Sequence, residues 1–235
     1  MKKMSIRKWR KMMSKELRLA VGIPSTDTWT AQFGMSLAFL VAYLSQQVPG
    51  YARQQFTVHN AKGSILPQLR HNIIKAALAA KATHVLFIDS DQTFPQDIAH
   101  RLLAHKKQVV GCNIATKKLP SGPTARLAAA STEGTPLYTT VESTGLAQVW
   151  RLGTGVLLLD MDIFKKPGMI APWFTPYWSS ALDAYTGEDW AFCEKLEKNG
   201  INIWVDQDLS KEIGHIGSIS FEHDLIMKIE DKLAI

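Results

Sequence analysis

Asp89 and Asp91 stand one residue apart at the end of the run Thr83-His-Val-Leu-Phe-Ile-Asp-Ser-Asp91, in which β-forming apolar residues give way abruptly to carboxylates. Successive strand side chains alternate faces, so two acids at this spacing can point the same way from a strand's carboxyl end. Open α/β sheets bind ligands at that edge. Paired carboxylates there suit a hard divalent cation, and the cation suits a diphosphate. A solvated Asp-Ser-Asp turn before a helix opening near Pro95 is the plainer alternative.

A second acidic pair, Glu188-Asp189, opens a helical stretch. Carboxylates are favoured in a first turn by the helix dipole. Asp189, however, shares the inward stripe of Phe192, Cys193 and Leu196, while Glu194, Lys195, Glu197 and Lys198 mark the wet side. An inward carboxylate beside aromatic residues is a candidate general base whose pKa burial raises, with Glu188 as its neighbour. His215, in Glu212-Ile-Gly-His-Ile-Gly217, has flanking glycines that allow close backbone approach, and neutral imidazole is a good metal ligand. A lone histidine is more often structural. This one gains weight because it follows the last expected strand and returns toward the edge where Asp91 lies.

The elements that must position these groups are legible as periodicities. Residues 17 to 23 predict a strand, 29 to 47 a helix through Phe33, Leu37, Leu40 and Leu44, 54 to 59 a weaker strand, and 65 to 81 a helix through Leu69, Ile73 and Ala77. A strand over 85 to 88, a helix over 95 to 106 and a strand over 109 to 114 complete a β-α-β-α-β-α-β order, hence a mostly parallel sheet with right-handed crossovers. Residues 115 to 150 change character, with Gly, Pro, Ser and Thr clusters and β-like pieces at 137 to 141 and 147 to 151, which fit added antiparallel hairpins. Gly153-Thr154-Gly155 precedes an apolar strand over 156 to 159. A Pro- and Trp-rich loop, 172 to 178, comes before the helix over 188 to 199, stopped by Gly200, and a last strand over 201 to 205.

With 235 residues the chain can bury one substantial core, and 46% apolar with 20% charged residues excludes a disordered protein. The formal charge of +6 is concentrated at the start, where Lys2, Lys3, Arg7, Lys8, Arg10, Lys11, Lys15 and Arg18 face only Glu16. Such an arm can touch phosphates or an anionic membrane surface, or stay a solvated tail. No signal peptide is expected behind it, and the apolar run from 35 to 44 is too short to span a bilayer, so a cytoplasmic location is expected. Cys112 and Cys193 lack metal-type spacing and read as free buried thiols.

Across residues 19 to 217 the chain resembles the GT-A-fold nucleotide-sugar glycosyltransferases, in particular small phage and prophage ones. The resemblance rests on Pro24-Ser25 after the first strand, Arg70-His-Asn72, Phe87-Ile-Asp-Ser-Asp91 as the DXD signature, Gly153-Thr-Gly155, Gly187-Glu-Asp-Trp190 and Gly214-His-Ile-Gly217. It implies a three-layer α/β/α sandwich on a mostly parallel, Rossmann-like sheet with an antiparallel acceptor-side addition. A basic arm (1 to 16), one catalytic domain (17 to 217, nucleotide half to 114) and a helical tail (218 to 235) are expected. It implies that Pro24 and Ser25 line the base and ribose pocket, that Arg70 lies near the base or diphosphate, and that Asp89, with Ser90, contacts ribose or donor sugar. It further implies that Asp91 and His215, with Asp89 beside them, hold Mn²⁺ or Mg²⁺, and that Asp189 deprotonates an acceptor hydroxyl if the reaction inverts the anomeric centre. Gly153, Thr154 and Gly155 would shape the sugar site; Trp173, Tyr177 and Trp178 the acceptor site. The donor expected is a nucleoside-diphosphate sugar, most simply a UDP-sugar; the acceptor is a hydroxymethylated base in duplex DNA or, alternatively, a saccharide, lipid-linked or protein hydroxyl.

Other classes compete for the same residues. Phe87-Ile-Asp-Ser-Asp-Gln-Thr93 also fits a haloacid-dehalogenase-like phosphatase, with Asp89 as nucleophile and Asp91 as acid/base. That motif, however, usually lies near the start of a chain, and here two β-α units precede it. A calcium loop is poorer, because Phe94 and His100 stand where Gly and Glu are needed. A non-catalytic nucleotide-sugar-binding module remains the third reading, against which stands the presence of Asp189 and His215 together.

Overall fold

A computed structural model describes residues 16–46, 53–129 and 133–218. The expected basic arm and the C-terminal tail therefore fall almost wholly outside the described residues. Arg18 does not belong to that arm: its guanidinium pairs with Glu16 at 2.7 Å and donates to the Lys81 carbonyl at 2.6 Å.

Seven strands form one sheet in the order β2 (Arg53–Lys62), β1 (Glu16–Ser25), β3 (His84–Ile88), β9 (Val156–Asp160), β5 (Val109–Gly111), β12 (Ile203–Asp206) and β8 (Leu146–Val149). Pairs β1–β2, β1–β3 and β5–β12 are parallel, whereas β9 runs antiparallel between β3 and β5, and β8 runs antiparallel on the β12 edge. The mixed α/β, mostly parallel expectation holds. What periodicity could not reveal is that the strand over 156 to 159 inserts at the sheet's centre instead of extending its rim.

Strand alternation sorts the core onto two faces. Leu86, Ile88, Val156 and Leu158 pack with Phe33, Leu37, Leu40 and Leu44 of helix α1 (Ala31–Leu44) and with Ile98 and Leu102 of helix α3 (Ile98–Ala104). Val85, Phe87, Leu157 and Leu159 pack on the other face with Ile73, Ile74 and Ala77 of helix α2 (Leu66–Ala79) and with Phe192, Cys193 and Leu196 of helix α4 (Glu188–Lys198). Helices thus cover both faces, giving the three-layer sandwich. Helix α1 begins where the Thr30 hydroxyl accepts from Phe33 N at 3.2 Å, and α4 ends before Gly200 at φ +66°.

Two expectations are corrected. Residues 137 to 141 form no strand: they are held as a loop by Asn113, whose side-chain amide donates to the Leu137 carbonyl at 2.7 Å and to the Thr139 hydroxyl at 3.0 Å. The Pro- and Trp-rich loop leads into a small antiparallel hairpin of β10 (Tyr177–Ser179) and β11 (Ala184–Thr186).

Candidate active site

The antiparallel course of β9 decides where the motifs meet. Because β9 starts at the edge where β3 ends, Ile88 pairs with Val156 and Asp89 N donates to the Gly155 carbonyl at 2.9 Å. Gly153-Thr154-Gly155 is thereby laid against Asp89. A Cβ on Gly155 would lie 2.9 Å from Ile114 Cδ1 and 3.4 Å from both Asp89 Oδ2 and Gln92 Nε2, so a side chain there would crowd Ile114.

Arg70 is where three of these motifs converge. It sits on the inward face of α2, 2% exposed, with Nη2 donating to Asp89 Oδ2 at 3.1 Å and Nη1 3.0 Å from Oδ1. Its Nε lies 3.5 Å from Glu188 Oε1, and Nη1 lies 3.5 Å from the Thr154 carbonyl. Burial opposes the guanidinium's charge, but Asp89 and then Glu188 outweigh it and raise its pKa above the ordinary value. Arg70 is therefore a cross-link beneath the site, and its donors are already engaged by the protein.

The two carboxylates of the Asp-Ser-Asp run part company. Strand geometry ends at Ile88, and a turn in which Gln92 N donates to the Asp89 carbonyl at 3.1 Å breaks the alternation that would align them. Asp89 turns to Arg70. Asp91 instead faces His215, whose Nε2 lies 3.5 Å from Asp91 Oδ2, and also pairs with Lys117. Backbone pairing fixes that meeting: Gln92 faces His215 across the short β4–β13 ladder (Gln92–Thr93 and Gly214–His215), and Ile216 N donates to the Asp91 carbonyl at 2.8 Å.

Among the described residues no group of three or more His, Cys, Asp or Glu converges as metal ligands, so Asp89 does not join Asp91 and His215. The remaining pair offers one carboxylate oxygen and one imidazole nitrogen, donor types that suit a divalent cation. His215 Nδ1 is 2.7 Å from the Ala115 carbonyl, and as its donor leaves the Nε2 lone pair toward Asp91.

Asp189 occupies the first turn of α4 at some remove from that pair. Burial first, and the neighbouring Glu188 second, push its carboxyl up to about 6, although the Trp190 N–H, donating to Oδ1 at 2.7 Å, and Arg70 pull the other way. A carboxylate poised there can accept a proton near neutral pH.

Of the remaining expected site residues, Pro24 and Ser25 are buried at the end of β1, and the Ser25 hydroxyl donates to Asn60 Oδ1 at 2.6 Å. Ser90 is partly exposed between the two aspartates. Trp173 is withdrawn from the surface: it is 7% exposed, stacks on His71, meets Phe164 edge-on and donates its indole N–H to the Met169 carbonyl at 2.9 Å. Trp178 is 51% exposed, and Tyr177 is exposed as a ring while its hydroxyl donates to Glu194 at 2.7 Å. Glu194 in turn pairs with Arg151 at 2.7 Å, so of the side expected to be wet only Glu197 and Lys198 are exposed, with Glu194 and Lys195 partly covered.

Sequence reasoning missed Lys117, Gln92 and Tyr185. Gln92 is 1% exposed, and its side-chain amide donates to Asp91 Oδ1 at 3.3 Å; its place directly after the aspartates was the available signal. Tyr185 meets Trp178 edge-on with centroids 5.2 Å apart, a cross-strand relation invisible without the hairpin register. For Lys117 the sequence carried no signal.

No protein-family model matches the sequence, and no curated protein does. Solved structures do. The crystal structure of A197 from STIV is similar at TM-score 0.53 and 15% identity, over 88% of this chain and 100% of that one. The crystal structure of GalNAc-T7 with UDP, GalNAc and Mn²⁺ is similar at TM-score 0.55 and 14% identity, over 87% of this chain. The match spans 44% of the GalNAc-T7 chain. At such identities the likeness is one of fold alone, a Rossmann-like, GT-A-like α/β sandwich.

Proposed function

We propose that this chain is a metal-dependent glycosyltransferase that moves a sugar from a nucleoside-diphosphate sugar to an acceptor hydroxyl. The observation that carries the reading is a division of labour along one sheet edge. A cation-type pair, Asp91 with His215, and a separate proton acceptor, Asp189, flank the Arg70–Asp89 cross-link. Two buried oxygens there, Gln92 Oε1 and Thr154 Oγ1, have no hydrogen-bond partner. Hydroxyl groups of a ribose or hexose would satisfy them.

Asp91 and His215 would hold Mn²⁺ or Mg²⁺, which when bound stabilises negative charge on a departing diphosphate as a Lewis acid. Gly155 keeps a side chain out of the space beside Asp89. Pro24 and Ser25, at the end of β1, are assigned to the base and ribose, and Ser90 to the donor between them. Arg70 holds Asp89 and Glu188 in place from beneath. Asp189 accepts the acceptor's proton as the new glycosidic bond forms and the bond to the diphosphate breaks, and Glu188 keeps its carboxyl pKa high enough for that task. The phosphatase alternative is disfavoured because its nucleophile would be Asp89, whose carboxylate is occupied by a buried guanidinium.

For the acceptor we propose a hydroxymethylated base in duplex DNA, as in a phage-type enzyme, on the strength of the basic residues that precede β1. A saccharide acceptor is the second reading, favoured by the exposed Trp178–Tyr185 pair on the hairpin that leads directly into Glu188. The test is a screen of nucleotide sugars for Mn²⁺-dependent donor hydrolysis, followed by mass spectrometry of DNA from producing cells. Absence of hydrolysis with every donor and metal sinks the enzyme reading; hydrolysis with unmodified DNA moves the acceptor to a saccharide.

A further inference from the structure

Lys117 and His215 meet at a single carboxylate oxygen. Asp91 Oδ2 pairs with the Lys117 ammonium and lies 3.5 Å from His215 Nε2. A cation taking Asp91 and His215 as ligands must therefore contend with a positive charge already at the same atom.

The lysine's backbone is fixed while its head is not. Thr116 N donates to the Gly122 carbonyl at 2.8 Å, Gly122 N donates to the Thr116 hydroxyl at 3.0 Å, and Ser121 Oγ donates to the Thr116 carbonyl at 2.8 Å, closing the segment into a tight loop. Ala115, at its root, offers the carbonyl that lies 2.7 Å from His215 Nδ1. The side chain itself is 41% exposed on its flexible stem, so its ammonium can leave Asp91 without moving the loop.

We propose that Lys117 is an exchangeable counter-ion of Asp91: it neutralises the carboxylate in the empty enzyme, yields its place to a divalent cation, and then pairs with the diphosphate that arrives with that cation. The inference rests on the reading of Asp91 and His215 given above and adds a regulatory consequence to it. Metal alone must displace an ion pair, whereas metal with diphosphate gives the displaced ammonium a new anionic partner. Metal and nucleotide then bind cooperatively, and each raises the other's affinity by the same factor.

Mn²⁺ titrations of the full chain followed by electron paramagnetic resonance, with and without UDP, test this without any turnover. Lys117→Gln is expected to bind Mn²⁺ alone about fivefold more tightly than the parent, the scale of one partly exposed ion pair, and to show a smaller gain in Mn²⁺ affinity on adding UDP. Lys117→Arg should keep the parental behaviour. Unchanged or weaker Mn²⁺ binding by Lys117→Gln, in a protein where Asp91→Asn abolishes it, overturns the lysine's role alone. Should Asp91→Asn bind Mn²⁺ as the parent does, the metal site itself falls, and the exchange with it.

Discussion

The Arg70 guanidinium faces the Asp89 carboxylate at 3.0 and 3.1 Å from a position only 2% exposed. Such a pair is worth most to the fold as a constraint: desolvating both charges offsets much of their attraction, but removing one partner strands the other. Arg70→Met is therefore expected to destabilise the protein by about 3–5 kcal/mol, because Asp89 and Glu188 lose their shared cation. Adding Asp89→Asn to it should recover part of that loss. Urea denaturation of the single and double variants measures both, and equal stabilities for the two would contradict the coupling.

Asp189 is predicted to trade stability for activity. Its carboxyl is raised to about 6, from an ordinary 3.8, so the folded state favours the protonated form. Its contribution to stability is thus fully present below the ordinary carboxylate pKa and is lost as pH rises through about 6. Asp189→Asn should accordingly be more stable than the parent above that pH, by about 1–3 kcal/mol, and should flatten the decline. Transfer needs the ionised form, so the parental rate should fall as pH drops through about 6. In the variant transfer should drop by about 10²-fold or more with donor binding retained. Paired melts and pH–rate profiles separate the two effects, and a variant that transfers at the parental rate removes Asp189 from the mechanism.

The contrast between these two acids marks how far the sequence could be read. Helix and strand positions were legible because the apolar periodicities at Phe33–Leu37–Leu40–Leu44 and at 85 to 88 report burial directly, and the buried residues match them. The inward stripe of Asp189 was legible for the same reason. Asp89 and Asp91 were paired by strand alternation, which stops one residue too early at Ile88. Their separation depends on Arg70 and His215, 19 residues before Asp89 and 124 after Asp91 in the chain, and no local pattern encodes such partners. Trp173 failed similarly: composition marks an aromatic loop, but only tertiary contacts decide which ring is core.

Gly155 should tolerate a side chain poorly. A methyl there meets Ile114 Cδ1 at 2.9 Å and approaches Asp89 Oδ2 at 3.4 Å, so the buried Ile114 side chain must shift. Gly155→Ala is expected to cost about 1–3 kcal/mol and to weaken nucleotide-sugar binding, measured by calorimetry beside a thermal melt. Parental affinity in a folded variant would show that the donor does not use this edge.

His215 should matter to metal binding through one nitrogen. With Nδ1 at 2.7 Å from the Ala115 carbonyl, Nε2 is the ring atom left for a cation beside Asp91. His215→Ala is expected to lower Mn²⁺ affinity about tenfold or more, and chelation with EDTA should reduce UDP binding in the parent but little in the variant. Calorimetric UDP titrations with metal and with EDTA decide this; equal affinity in both for the parent would remove the cation from the site.

The final prediction concerns the acceptor. Seven Lys or Arg residues, from Lys2 to Lys15, precede the first described residue, with Arg18 held in β1 by Glu16 and the Lys81 carbonyl. Cations on a segment of that kind bind a polyanion by releasing its counterions, without reading bases. Affinity for duplex DNA should then fall steeply with salt, with a log–log slope of about −0.9 per phosphate neutralised. Deleting residues 1 to 15 should reduce both the affinity and that slope while leaving donor-sugar hydrolysis unchanged, because Asp91, Asp189 and His215 all lie on the sheet edge beyond it. Filter binding of full-length and truncated protein at two salt concentrations measures both halves. Salt-independent or absent DNA binding transfers the acceptor to the hairpin face of Trp178 and Tyr185 and thus to a saccharide, with the donor-side residues unaffected.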